Sequence, residues 1–279
     1  MKKITRRSFL AAAGLTAAAL ALTACGGSSS STASSTASSA AASSEAASSS
    51  AATELTTVET GKLTMATNAT FPPYEMTTDT DAFEGIDVDT AQAIAEKLGL
   101  ELQIDDMEFD AALLSVQQGK ADIVMAGVTV TDERKAVMDF SDSYATGIQS
   151  IIVPEGSDIA SPDDLAGKKI GTQRGTTGYI YCSDDFGDEN VVAYDSGLTA
   201  VQALNNGQVD AVVIDNAPAK EYVAANPGLV ILDTSYAEED YAIGMAKGSA
   251  LEDAINAALE ELKADGTLQS IVDKYITAE

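Results

Sequence analysis

Histidine and tryptophan are absent from all 279 residues. Without histidine the chain has lost the commonest general base, the commonest zinc ligand and any Ser-His-Asp triad. Positive charge is scarce too: 16 Lys and Arg stand against 43 Asp and Glu, a net charge of −27. Phosphate backbones need Lys and Arg partners, so this balance argues against nucleic acid. It also disfavours binding to an anionic membrane through a basic patch. An acid excess of this size favours solubility outside the cell and says little about a ligand. Cysteine is limited to Cys25 and Cys182, too few for a disulfide framework. No metal site and no cofactor are expected. Aromatics make up 5%, so any sizeable core must be aliphatic.

The four basic residues Lys2, Lys3, Arg6 and Arg7 precede an uncharged apolar stretch from Phe9 to Ala24. At about 15 residues it falls short of the ~20 needed to span a bilayer. Residues 1–24 therefore read as a signal peptide. Thr5-Arg6-Arg7-Ser8-Phe9-Leu10 resembles a twin-arginine export signal, and an ordinary secretory start reads equally well. Leu22-Thr23-Ala24-Cys25 resembles the lipobox of bacterial lipoproteins, which implies lipidation of Cys25 and attachment to the membrane through two acyl chains. Residues 26–53 are almost all Ser, Ala, Thr and Gly. Such a segment buries too little apolar surface to offset its chain entropy. It predicts a tether over 25–61, whose low-complexity part of ~28 residues reaches roughly 30 Å.

From Lys62 onward, short apolar runs alternate with amphipathic segments, the pattern of an α/β protein with mostly parallel sheets. Strands are predicted over 63–67, 100–104 and 121–127, with helices over 87–98 and 109–118, each helix ended by a glycine. The order then recurs, with strands over 169–172, 191–194 and 211–214 and helices opening at 175–178, over 198–205 and near Pro218. The segment Gln117-Gln118-Gly119-Lys120-Ala121-Asp122-Ile123-Val124 lies over Asn205-Asn206-Gly207-Gln208-Val209-Asp210-Ala211-Val212 without gaps. Two related lobes follow. Open parallel sheets bind ligands at the carboxyl ends of their strands. Four such ends, at 68–71, 126–129, 173–177 and 215, are expected around one cleft.

Thr131 is suited to cap a helix whose first turn holds Arg134. Arg is misplaced at the positive end of a helix dipole unless an anion joins it. A carboxylate there meets free N–H groups and a guanidinium fork together. Asp215, just after Val212-Val213-Ile214, is the matching feature in the other half. An unpaired carboxylate at a strand end suits an ammonium group, although a helix N-cap is the plainer role for it. Arg134 and Asp215 would together read the two charges of a zwitterion.

These residues sit within a longer set. It runs Ala66-Thr67-Asn68-Ala69-Thr70-Phe71-Pro72-Pro73-Tyr74-Glu75, Phe83-Glu84-Gly85-Ile86-Asp87-Val88-Asp89 and Ala126-Gly127-Val128-Thr129-Val130-Thr131-Asp132-Glu133-Arg134-Lys135. Asp139-Phe140-Ser141, Gly175-Thr176-Thr177-Gly178 and Asp215 complete it. By these motifs, over Lys62 to Thr277, the chain resembles the polar amino-acid solute-binding proteins of ABC importers, with the periplasmic type II fold. The resemblance implies a two-lobed α/β protein that closes on a free L-amino acid and delivers it to importer subunits, and a monomer. It implies Arg134 on the α-carboxylate, helped by backbone and hydroxyl groups of Gly127, Thr129 and Thr177. It implies Asp215 on the α-ammonium with the Gly127 carbonyl, and Phe71 and Phe109 flanking the ligand side chain. Ala126, Gln173 and Thr176 belong to the same wall. Asn68 departs from the Asp common in glutamine, histidine and basic-residue binders, and Gln173 stands where the glutamine binder has Lys. Neutral Asn weakens the case for Lys or Arg and leaves polar neutral ligands open. The family's domain plan implies a first lobe of 62–143 plus 242–279, a second of 149–236, and hinge strands over 144–148 and 236–243. Helices over 249–264 and 268–276 would return to the first lobe. Cyclohexadienyl dehydratases resemble these binders as well. An enzyme of that kind needs a general acid in the cleft, and Glu75 is the candidate.

Overall fold

Alternating apolar runs and amphipathic helices cannot each bury their own apolar faces, so they fold into layers. The structure is a computed structural model that describes residues 55–276. The expected signal peptide, Cys25 and residues 26–54 of the expected tether lie outside the described residues. The tether's last residues, Leu55 to Gly61, lie on the folded body: Leu55 packs on the core and the Val58 N–H donates to Asp122 Oδ1 at 2.7 Å.

The first stretch forms β1 (Lys62–Thr67), a small ribbon of β2 (Thr70–Phe71), β3 (Glu75–Thr77) and β4 (Phe83–Glu84), then helix α1 (Ile86–Leu98). β5 (Glu101–Asp106), α2 (Phe109–Gln117), β6 (Ile123–Val124), the short α3 (Asp132–Lys135) and β7 (Met138–Phe140) follow. β8 (Ala145–Pro154) crosses to a second sheet. There lie β9 (Ile170–Gln173), α4 (Thr177–Phe186), β10 (Val191–Tyr194), α5 (Gly197–Asn205), β11 (Ala211–Asp215), α6 (Asn216–Ala225) and β12 (Leu229–Ile231). β13 (Ala237–Tyr241) stays paired with β8. Then β14 (Gly244–Ala246), α7 (Glu252–Ala264) and α8 (Thr267–Tyr275) return to the first sheet.

The two sheets have one plan. Their orders are β5-β1-β6-β14-β7 and β10-β9-β11-β8-β12, with β13 also on β8. The first three strands of each run parallel, and the fourth runs against its neighbours. In each sheet that reversed strand arrives just after a crossing between lobes. The sheets are thus mixed, with one reversed strand set among parallel ones. Helices cover them through apolar stripes of period 3.6. α1 buries Val88, Ala91, Ile94 and Ala95, and α7 buries Ile255, Ala258, Leu259 and Leu262. Each large aliphatic buried this way contributes roughly 1.5–3 kcal/mol.

Three elements differ from their sequence-based expectation. The strand expected over 121–127 ladders only at Ile123–Val124, because the chain then bends to wall the cleft and Gly127 takes φ +56. The helix expected from Ser249 starts at Glu252, after a turn in which the Ser249 hydroxyl accepts from the Leu251 N–H. The hinge strand expected over 236–243 ends at Tyr241, and the chain pairs again only from Gly244, in the other sheet.

Candidate functional site

A cavity of about 310 Å³, counting its open mouth, lies where the carboxyl ends of β1, β6, β9 and β11 converge. Asn68, Phe71, Phe109, Ala126, Gly127, Thr129, Arg134, Gln173, Thr176, Thr177 and Asp215 all line it, and Glu75 joins them. All eleven residues expected from sequence therefore line one cavity, drawn from both sheets.

Arg134 is held at one end by local geometry. The Thr131 hydroxyl caps α3 by accepting from the Arg134 N–H at 3.2 Å. The guanidinium is 8% exposed. Its Nη1 donates to the Thr129 carbonyl at 2.7 Å and its Nη2 to the Gly175 carbonyl, on the opposite lobe, at 3.1 Å. The Phe109 ring lies 5.5 Å from Cζ, a cation–π contact. Phe109 thus does two jobs, since it also packs into the core under the first sheet. Among the described residues no carboxylate lies within ion-pair distance of Arg134. Burial pulls its proton affinity down, and the charge of Glu239 is the largest counterweight. A guanidinium with five donors and no anion in contact is matched to a carboxylate.

Asp215 ends β11 and stands at the N-cap position of α6, yet its side chain makes no capping bond. It turns to the cavity instead. Contrary to the unpaired carboxylate expected from sequence, it accepts from Gln149 Nε2 at 2.8 Å and from the Tyr241 hydroxyl. Burial pushes its pKa up to about 7, with the charge of Glu239 adding to the rise, against the hydrogen bonds from Tyr241 and Gln149. Beside it, Gly127 donates its N–H to Asp87 Oδ2 at 3.0 Å. A Cβ on Gly127 would meet the Phe71 ring at 2.9 Å, so the close approach of that ring requires glycine. Asp87 also accepts from the Tyr144 hydroxyl at 2.7 Å, and burial raises its pKa to about 6. Glu75 is wholly buried next to it, and neither of its oxygens accepts a hydrogen bond. Burial first, and then the charge of Asp87, hold Glu75 well above the usual carboxylate range. Two buried acids whose charges raise one another's pKa resist ionising together.

The far wall is neutral. Asn68 donates to the Met107 carbonyl at 2.8 Å, and its Oδ1 accepts from Gln173 Nε2 at 2.9 Å across the cleft. The Thr176 hydroxyl caps α4. Phe71 stacks on Tyr74 with ring centroids 5.9 Å apart.

Three buried polar residues of this site were not expected from sequence: Gln149, Glu239 and Tyr241. The Thr129 and Thr177 hydroxyls, expected to face a ligand, instead donate to Glu239 Oε2 at 3.0 and 2.9 Å. Alternation along β13 places Glu239 and Tyr241 on one face, the sole local signal that these two belong together.

With this geometry in hand, the comparisons are concordant. The chain matches the bacterial extracellular solute-binding proteins, family 3, over residues 63–278. It is 34% identical over 222 residues to the "Probable histidine-binding protein" of Neisseria gonorrhoeae, covering 77% of this chain and 83% of that protein. It is 34% identical over 228 residues to the arginine-binding extracellular protein ArtP of Bacillus subtilis (strain 168), covering 78% and 87%. Among solved structures, an ancestral arginine-binding protein bound to arginine superposes with TM-score 0.74 at 43% identity, covering 77% of this chain and 98% of that one. The ancestral protein bound to glutamine gives TM-score 0.75 at 42% identity, with 78% and 99% covered. The type II two-lobed fold and the cleft between its sheets are those of these neighbours, and the chain belongs to the family 3 bacterial extracellular solute-binding proteins.

Proposed function

We propose that this protein is an extracytoplasmic receptor that captures one free L-amino acid between its closing lobes and passes it to the membrane subunits of an ABC importer. The observation that carries the reading is a buried guanidinium and a buried carboxylate in one cavity wall, Arg134 from the first lobe and Asp215 from the second. Arg134 takes the α-carboxylate together with nearby backbone N–H groups. Asp215 and the Gly127 carbonyl take the α-ammonium. Each charge-assisted bond contributes roughly 1.5–3 kcal/mol net, so a few reach the ~8 kcal/mol of micromolar affinity. Closure is a hinge motion, and the ligand favours it by touching both lobes.

The neutral Asn68–Gln173 wall supports a polar uncharged side chain over Lys or Arg. A cationic head there would be buried without a counter-charge. Residues 1–24 are read as an export signal and Cys25 as the lipid attachment point of a monomer. Calorimetry of the twenty L-amino acids tests the receptor role: one or a few bind tightly, with neutral polar side chains ahead of basic ones. Silence across the panel overturns the role, and a preference for arginine or lysine overturns the ligand class.

A further inference from the structure

Glu239 is a buried acid that the zwitterion reading leaves unused. It is 7% exposed and lies on β13, in register with Gly147 of β8, behind the threonines that line the cavity. A single oxygen, Oε2, accepts three hydrogen bonds: from the Thr129 hydroxyl, from the Thr177 hydroxyl, and from Gln149 Nε2 at 3.0 Å. The three donors come from three places in the fold. Thr129 follows β6 in the first lobe. Thr177 opens α4 in the second. Gln149 lies on β8, the strand that crosses between them, and the same Nε2 also bonds Asp215. The shared acceptor brings the two hydroxyl oxygens, from opposite sides of the cleft, to 3.5 Å.

A hydroxyl has one proton to give. Both threonines give theirs to Glu239, so they turn lone pairs toward the cavity, and a ligand carboxylate is left to N–H groups and Arg134. We propose that Glu239 is a positioning residue for ligand capture, a latch on the crossing strand that holds Thr129 and Thr177 at the spacing of the closed lobes. Its effect on affinity rests on the amino-acid receptor reading, whereas its effect on lobe spacing does not. Alanine at this position strands three buried donors and removes the common acceptor. Glutamine keeps an acceptor oxygen of the same reach.

The test compares the full-length protein with Glu239→Ala and Glu239→Gln in two measurements. Spin labels on the exposed Leu114 of α2 and Leu198 of α5, one on each lobe, report the spacing of the ligand-free protein. Calorimetry with the amino acid found in the panel reports affinity. Glu239→Ala is expected to shift the spacing to longer distances and to weaken binding about tenfold. Glu239→Gln is expected to restore the short spacing and most of the affinity. An unchanged spacing in Glu239→Ala overturns the latch, as does a Gln variant as open as the Ala variant. If no amino acid binds the unmodified protein while Glu239→Ala still opens the lobes, the receptor reading fails and the latch stands.

Discussion

Gly119 in the first lobe and Gly207 in the second both take φ +66, and each follows a helix, with an aspartate just before the next strand. Asp122 Oδ2 accepts from the Thr64 N–H at 2.8 Å, and its own N–H donates to the Thr64 carbonyl. Asp210 does the same with both backbone groups of Lys169, its Oδ2 at 2.7 Å. In both lobes, then, an aspartate side chain pins the third parallel strand to the start of the first. The lobes part company beyond this point. After β6 the chain turns through Gly127 and Thr129 into a four-residue helix that buries a cation. After β11 it enters α6 at once and leaves an anion at the strand end. A repeated scaffold with opposite charges at matching ends is the comparison on which the proposed zwitterion receptor rests.

The sharpest way to break this complementarity is Arg134→Ala. It should weaken amino-acid binding by about 3–5 kcal/mol in calorimetry, because the ligand carboxylate stays buried without a partner. Asp215→Asn comes next, at about 2–3 kcal/mol weaker near pH 8, and it carries a pH signature. With a pKa of about 7, Asp215 of the free protein is protonated below that pH, and an ammonium must displace the proton. The affinity of the unmodified protein should therefore fall by about tenfold per pH unit below 7, while that of Asp215→Asn stays flat. The same raised value means that the ligand-free fold loses stability as pH rises through about 7.

The shared scaffold can be compared directly by denaturant unfolding. Asp122 is buried and holds two N–H groups, whereas Asp210 is exposed. Asp122→Ala should cost about 2–3 kcal/mol and Asp210→Ala about 1, both without loss of affinity. Smallest is Glu75→Gln. Its parent acid is held neutral by burial, so at pH 5 the exchange should change stability by less than about 1 kcal/mol. At pH 8 the variant should be the more stable, because the folded carboxyl no longer resists ionisation.

Local pattern reached the residues at strand ends because a strand signal marks its own end. Asn68, Gly127, Thr129, Gln173 and Asp215 were legible for that reason, and Arg134 because it followed a cap. Gln149, Glu239 and Tyr241 lie on the crossing strands. Their approach to the cleft depends on register between segments far apart, such as Asp215 opposite Gln149 and Tyr241 opposite Ala145, which no short window encodes. Glu239 was further concealed in an acidic run, Glu238-Glu239-Asp240, that reads as a solvated edge. The lining of the cavity was thus visible from sequence, and the buried hydrogen-bond network behind it was not.

The reversed strand of the first sheet, β14, comes from residues 244–246, about 120 positions after the β6 strand it joins. During synthesis the N-terminal half therefore emerges lacking a central member of its own sheet and the two helices that cover it. Its apolar face stays open until nearly the whole chain has been made. The first sheet is therefore not closed by its own stretch of chain, unlike the second, whose strands all fall within 145–241, and long-range closure of this sort is slow. A sheet completed by a strand from so far along the chain gains its interior member only after the second sheet has been laid down in sequence.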